Sequence, residues 1–300
     1  MDIIGKKYIY FAISLFVMIP GIIAFFLWGL NLSIEFTGGS RLALSFPDRV
    51  EDTHIAAVRK ELSEENIDIH GIQVSDSILT VRTAPITQEQ GEKLIADLTK
   101  FEAKQEEFET IGPTIGAEIT QNAIKALAVA SVLIILYITW AFRSVPKPAS
   151  SLRFGVCAIV TLIHDMVVVI GIFVILGHFL DIEIDSMFVT ALLTIIGFSV
   201  HDTIVVFDRI RENLKRSPGV SFEKNVNESI LQTFDRSLNT SLTVVLVLTA
   251  MLLFGGESTR WFIVALLVGM ISGTYSSIFN AAPLLVLWQE WSMKRKSRKV

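Results

Sequence analysis

Six long apolar runs punctuate the chain, separated by short polar stretches and one long mixed segment. The first, Tyr8 to Leu30, contains no charged residue; the others are Ile124–Phe142, Phe154–Leu176, Ser186–Phe207, Ser237–Phe254 and Trp261–Trp288. A helix needs about 20 mostly apolar residues to cross about 30 Å of hydrocarbon, so each run predicts a membrane span. Pro20-Gly21 predicts a kink in the first. The last is longer than a crossing requires and must tilt, bend or project beyond the hydrocarbon. Lys6 and Lys7 give the first run the look of a signal peptide. Its apolar stretch is longer than a signal core, however, and no small-x-small site follows, so an uncleaved anchor is expected.

Between the first two runs the period changes. Leu42, Leu44 and Phe46 alternate in the manner of a strand, and a helical period runs from Gln88 to Lys104. The pattern predicts a strand at Arg41–Phe46, a helix at Glu51–Glu65, strands at Asp68–Val74 and Ile78–Thr83, a helix at Thr87–Glu106 and a strand at Phe108–Ile111. That β-α-β-β-α-β order is a ferredoxin-like split βαβ, a small two-layer domain with a modest core. The expected fold is therefore an α-helical polytopic membrane protein with six transmembrane helices and one small α+β extracytoplasmic domain. The expected divisions are 1–30 (N-terminus and first span), 31–120 (insert), 121–290 (five-helix bundle) and 291–300 (basic tail).

Charge orients this arrangement. Lys6/Lys7, Arg143/Lys147/Arg153, Arg209/Arg211/Lys215/Arg216/Lys224 and the tail from Lys294 to Lys299 make four segments basic. The alternate connections carry Asp181/Glu183/Asp185 and Glu257/Arg260. By the positive-inside bias both termini are expected in the cytoplasm and the insert on the opposite side. The insert holds 8 Lys/Arg against 17 Asp/Glu, a net of −9, while the rest of the chain carries +5. Composition agrees with a membrane protein: 51% apolar residues and 19% charged, with mean hydropathy +0.55. The single cysteine, Cys157, excludes an internal disulfide and argues against a cysteine-based zinc site.

Ionisable residues inside the spans are the candidate chemistry. His164-Asp165 interrupts the third span and His201-Asp202 the fourth. A carboxylate in a membrane helix costs about 2.5–3.5 kcal/mol on insertion scales, so such groups face protein or water and often serve a function. Ser199, Asp202 and Arg209 fall close to one helical face, leading to a basic helix end. Arg236 opens the fifth span, with Thr240 and Thr243 on its face; Gly269, Gly273 and Ser277 recur every four residues in the sixth, followed by Asn280. Such a small-residue stripe permits close helix contact. The expectation is that Asp202 meets Arg236, with Thr240 and Asn280 lining a wet pocket. Burial favours a neutral acid and a nearby cation favours the carboxylate, so a moving arginine would switch the group between states. A polar clamp that only holds helices in register is the alternative. His164 and His201 read as helix–helix hydrogen-bonding groups, Asp165 as either clamp or proton site, and Asp208–Glu212 as a solvated helix end.

Two glycine-containing segments flank the insert. Gly38-Gly39 reads as a sharp turn before the first strand, and it lacks the Gly-Lys-Ser/Thr ending of a phosphate loop. Gly112, Pro113 and Gly116 read as a semi-rigid joint into the second span. Together they suit a domain that rocks, or are merely tight connections. Phe222, Val226, Ile230 and Phe234, at four-residue spacing, predict an amphipathic helix within a cytoplasmic link at about 210–236, lying on the membrane surface or on the bundle.

These motifs resemble the SecF branch of the SecD/SecF family of bacterial protein export, in the broad resistance–nodulation–division group. The resemblance rests on Phe36-Thr37-Gly38-Gly39-Ser40, Gly112–Gly116, Ala158–Asp165, Gly197–Asn213, Asn227–Ser241 and Gly273–Ile278, and covers nearly the whole chain. It implies that Asp202 and Arg236 belong to a proton pathway; the reading of the spans adds Asp165, His201, Ser199, Thr240 and Asn280 as supporting polar residues. It implies a location in the bacterial inner membrane, SecD as partner beside the SecYEG channel, contact with preprotein and membrane lipids, and no nucleic acid. The implied activity is proton-motive-force-driven help in late translocation, without a cofactor, a metal or an enzymatic step. Two departures stand out: Glu35 where the family usually has Asp, and a Pro-containing loop at Ser144–Ser151. The competing readings are a small-molecule or lipid exporter of the same group and a structural scaffold. No Gly-x-Ser-x-Gly, His-Glu-x-x-His or Walker sequence supports an enzyme.

Overall fold

A computed structural model describes residues 2–98, 103–146, 150–217 and 219–297. Its contacts divide the chain into two compact units: Asn31–Lys125 with Glu183–Ser186, and Met1–Leu30 with Ala126–Ile182 and Met187–Val300.

The smaller unit is built on a four-stranded antiparallel sheet. The strands are β1 (Gly39–Ser45), β2 (Ile69–Ser75), β3 (Ile78–Thr83) and β4 (Lys104–Ile111), in the order β2-β3-β1-β4. A short α2 (Ile34–Thr37) precedes β1, and α3 (Asp52–Glu64) and α4 (Gln88–Leu98) supply the helical layer. This is the split βαβ order that the alternation predicts. Leu42 pairs with Val81 on one side and Phe108 on the other, and Leu42, Leu44, Leu79 and Val81 pack on Val58 and Leu62 of α3. The second helix departs from expectation. Its described part is Gln88–Leu98, residues 99–102 lie outside the described residues, and Lys104–Glu107 are strand where the helix was expected to run to Glu106. The charge-rich segment is drawn into pairing by β1: Arg41 binds Glu107 (2.8 Å) and Ser45 donates to Glu106 (2.6 Å). Cross-strand pairing overrides the local helical pattern.

The two glycine segments meet within this unit. Ser33 caps α2, and Gly38 (φ 74°) and Gly39 (φ 135°) turn the chain into β1. A Cβ on Gly38 would lie 2.9 Å from Pro113 Cα, and one on Gly116 would lie 2.9 Å from Gly38 N. Pro113 is the first residue of α5 (Pro113–Ala141), where its missing N–H costs nothing. The predicted joint is thus the opening turn of a helix, packed against the other glycine turn. Gly112, just before it, has open space around it. Glu35, the departure from the family's Asp, has a defined place: its carboxylate accepts from the backbone N of Ser186 (2.7 Å), capping the first turn of α7 (Ser186–Arg216). Arg82 pairs with Glu183 beside it (3.0 Å).

The larger unit is helical. Among the described residues, six helical segments are long and apolar enough to span a membrane: α1 (Lys7–Trp28), α5, α6 (Ser151–Leu180), α7, α8 (Phe222–Phe254) and the sixth segment. The chain is a multi-pass membrane protein. Its sixth segment is α9 (Arg260–Ser276), a π-helical turn (Ser277–Ala281) and α10 (Ala282–Ser297). The expected bend is therefore a local widening of the helix. Gly21 serves a closer purpose than the expected kink: it meets Gly171 of α6, and a Cβ on either would lie within 2.7 Å of the other's Cα. α1 continues through Pro20.

The amphipathic link is not a separate surface helix. α7 runs to Arg216 and α8 starts at Phe222, so the link is the first turns of a continuous span. Val226 and Ile230 are fully buried with Phe207, Ile210, Ile3 and Ile4. Asn227 Oδ1 accepts from the backbone N of Ile3 (2.8 Å) and Ile4 (3.2 Å), tying down the N-terminus. The expected solvated end of α7 is stitched to α8 as well, by Asn213 to Ser229 (2.9 Å) and Arg209 to Gln232 (2.6 Å). Lys147 and the last residues of the basic tail, 298–300, lie outside the described residues.

Candidate functional site

Within the helical unit one carboxylate is a hub. Asp165 of α6 has no exposed surface. Its Oδ1 accepts from Ser272 Oγ (2.7 Å), and its Oδ2 accepts from Ser199 Oγ (2.6 Å) and Ser276 Oγ (2.7 Å). His164 Nδ1 lies 3.0 Å from Oδ1. Three helices, α6, α7 and α9, thus converge on one acid through short hydrogen bonds to a charged acceptor, the strong class of such bonds. The small-residue stripe makes the approach physically feasible. A Cβ on Gly273 would lie 3.2 Å from Ser199 Cβ, and Gly269 takes the side chain of Ile195.

The π-helical turn extends the polar seam. Because the helix widens there, consecutive residues both face inward. Ser276 holds Asp165, while Ser277 bonds Thr203 (2.9 Å) and the carbonyl of Ser199 (3.2 Å). One turn on, Asn280 exchanges hydrogen bonds with Ser14 of α1 (2.7 and 3.0 Å).

Asp202 has a different environment. It is buried, and the hydroxyl of Ser241 on α8 donates to its Oδ2 at 3.2 Å. Among the described residues no ion pair joins it to Arg236. The stripe of Arg236, Thr240 and Thr243 exists but lies on the exposed face of α8, each threonine hydroxyl satisfied by the carbonyl four residues back. The buried face is Ser237 and Ser241. The structure therefore brings Ser199 to Asp165, leaves Arg236 and Thr240 apart from Asp202, and puts Asn280 on Ser14. His201 is exposed and touches the ring of Phe198 (centroids 6.4 Å apart). His164 bonds its own neighbour rather than a second helix. Ser272 and Ser276 were not foreseen; their i, i+4 spacing, one residue before Gly273 and Ser277, was the available signal. Among the described residues no three His, Cys, Asp or Glu side chains cluster as a metal site.

Comparison with known proteins gives the family. Residues 90–291 match the model described as protein export membrane protein SecD/SecF, C-terminal. The SecF protein translocase subunit of Thermobaculum terrenum is 45% identical over 100% of this chain and 97% of its own. The SecDF subunit of Bacillus subtilis is 34% identical, aligning with 99% of this chain and 39% of that longer one. The crystal structure of SecDF from Thermus thermophilus, described as a translocon-associated membrane protein, superposes with a TM-score of 0.83 at 35% identity, covering 97% of this chain and 39% of that one. The chain belongs to the SecF family of protein translocase subunits.

Proposed function

We propose that this chain is the auxiliary subunit that, with SecD and beside the SecYEG channel, uses the proton-motive force to promote late stages of preprotein translocation in the bacterial inner membrane. The fused SecDF relatives support SecD as the partner, because one longer chain carries both parts. Alternating basic loops support cytoplasmic termini and an extracytoplasmic insert. The observation that carries the coupling is the fully buried Asp165, an acid in a membrane helix held by serine hydroxyls. Hydroxyls rotate, so they can donate to the carboxylate or accept from the acid, and both protonation states are accommodated. One charge crossing about 100 mV gains roughly 2.3 kcal/mol, a shift of about fiftyfold in a two-state equilibrium.

Asp202 and Arg236 belong to the same pathway in this reading. Arg236 lies five residues before Ser241, about 7.5 Å along the helix axis, and an inward swing of its side chain would bring the cation to Asp202. Gly112, with room around it, is the hinge candidate of the glycine set. The dense bonding around Asp165 also favours a second reading, a structural clamp that holds the helices in register.

The test is a pulse-chase of a secreted precursor in cells depleted of this protein and rescued, at equal membrane levels, with wild type, Asp165→Asn or Asp202→Asn. Loss of precursor release in both variants is expected. Full rescue by both variants would establish the clamp, and export unaffected by depletion would reject the translocation role.

A further inference from the structure

Three helices of the larger unit share an apolar groove of about 500 Å³. Phe11, Leu15 and Met18 of α1, Val160 of α6, and Leu284 and Leu287 of α10 line it. Leu15 and Val160 remain 54% and 47% exposed, so the groove opens outward and is not filled by this chain. Its hydroxyls are paired within the protein: Ser14 with Asn280, and Thr161 with the carbonyl of Cys157 (2.7 Å). What it offers an occupant is mainly hydrocarbon contact. On each helix, however, the groove face ends in a cation. Lys7 lies four residues before Phe11, Arg153 seven before Val160, and Trp291 and Arg295 follow Leu287 at four-residue steps. These spacings keep each set on one helical face. From Lys7 to Met18, from Arg153 to His164 and from Leu284 to Arg295 the rise is about 16 Å, one leaflet of a bilayer whose hydrocarbon is about 30 Å thick. A partner helix would need a face that continues through both leaflets.

The charge at the mouth of the groove is not balanced. Lys7 pairs with Glu290. Arg153, half-buried, bonds the neutral side chains of Gln289 and Ser292 (3.0 Å for the second). Arg295 lies over the ring of Trp291, 5.6 Å from its centroid, and Trp291 is itself exposed. Among the described residues no carboxylate pairs with either arginine. Ser292, one turn before Arg295, brings both to the same stretch of α10. Arg153 uses two of the five N–H donors of a guanidinium on its neighbours and keeps others for a phosphate, which that group holds bidentately. We propose that this groove binds an anionic glycerophospholipid, its phosphate on Arg153 and Arg295 and one acyl chain along Phe11, Leu15 and Met18. Basic pockets between spans take such headgroups. By the alternating loop charges the leaflet is the cytoplasmic one. The site is independent of the proton pathway, and its test reads lipid rather than export.

The test places the full complex in nanodiscs holding equal amounts of phosphatidylglycerol and phosphatidylcholine with matched acyl chains, and counts the retained lipids by native mass spectrometry. Wild type should retain phosphatidylglycerol over phosphatidylcholine about tenfold, as one hydrogen bond between charged groups supports. Arg153→Gln with Arg295→Gln should abolish that preference. Lys215→Gln with Arg216→Gln removes the same charge from the exposed end of α7 and should leave it unchanged. Arg295→Gln alone disturbs the stacking on Trp291 and no hydrogen bond, so it should lower the preference even where the double variant fails to fold. Val160→Trp fills the groove beneath unaltered cations and should release the lipid as well. Equal losses from the two charge pairs would reduce the effect to general attraction between a basic surface and anionic lipid. Full retention in Val160→Trp would put the acyl chain elsewhere. A photoreactive residue at Leu15 that captures a span of the partner chain rather than lipid would make the groove a helix interface. Each of these three results overturns the proposal.

Discussion

Asp165 and Asp202 each follow a histidine in a membrane-spanning helix, and the protein surrounds them differently. Asp165 takes three serine hydroxyls from two neighbouring helices at 2.6–2.7 Å. Among the described residues Asp202 takes one, at 3.2 Å, from Ser241. The distinction lies in what the facing helices present. α9 approaches through glycines and serines, so its backbone comes close enough for three side chains to converge. α8 presents Ser237 and Ser241 and turns its arginine outward. The first acid is organised by this chain alone, whereas the second has coordination left to gain.

That contrast can be broken by mutation. Asp165→Leu leaves three buried hydroxyls without their acceptor. At about 1 kcal/mol each, after partial re-pairing with helix carbonyls, the expected loss is about 3 kcal/mol, against about 1 kcal/mol for Asp202→Leu. Thermal unfolding of the purified proteins should rank them in that order, and equal losses would remove the distinction. Gly273→Leu forces α9 away from Ser199 and should cost about 2 kcal/mol by overpacking, with a lowered Tm and the Asp165 ring opened. Ser276→Ala should cost about 1.5 kcal/mol, as the loss of a hydrogen bond to a charged group, and Ser241→Ala about 0.5 kcal/mol. A larger effect at Ser241 would show that Asp202 is the better-held acid. Outside the bundle, Glu35→Ala uncaps α7 and should cost about 0.5 kcal/mol by denaturant unfolding, leaving both carboxylates working.

Much of this architecture was legible in the residues, because six apolar runs and a period-2 to period-3.6 alternation are consequences of burial that any sequence must display. The acids could be found for the same reason, since a carboxylate is conspicuous among leucines. Their partners could not. α8 has two polar faces, Ser237/Ser241 and Arg236/Thr240/Thr243, and helical spacing identifies each without saying which one turns inward. Opposite charge pointed to the Arg236 face, which the structure turns outward. A serine is far cheaper to bury than an arginine, and the inward face is the one that carries Ser237 and Ser241, the latter donating to Asp202. Gly21 carried a signal that was read locally, as a bend, because its partner Gly171 lies far away in the chain. The segment Lys104–Glu106 looked helical until a neighbouring strand required pairing.

The Gly21–Gly171 contact also bears on how the protein is made. Without a side chain between them the two backbones touch, so α1 reaches its resting place only once α6 has been synthesised. About 150 residues separate the two glycines, and at roughly 5–20 residues per second the ribosome needs about 8–30 s to cover them. For that interval the first helix waits in the bilayer with its packing face turned to lipid, or to whatever chaperone shelters it.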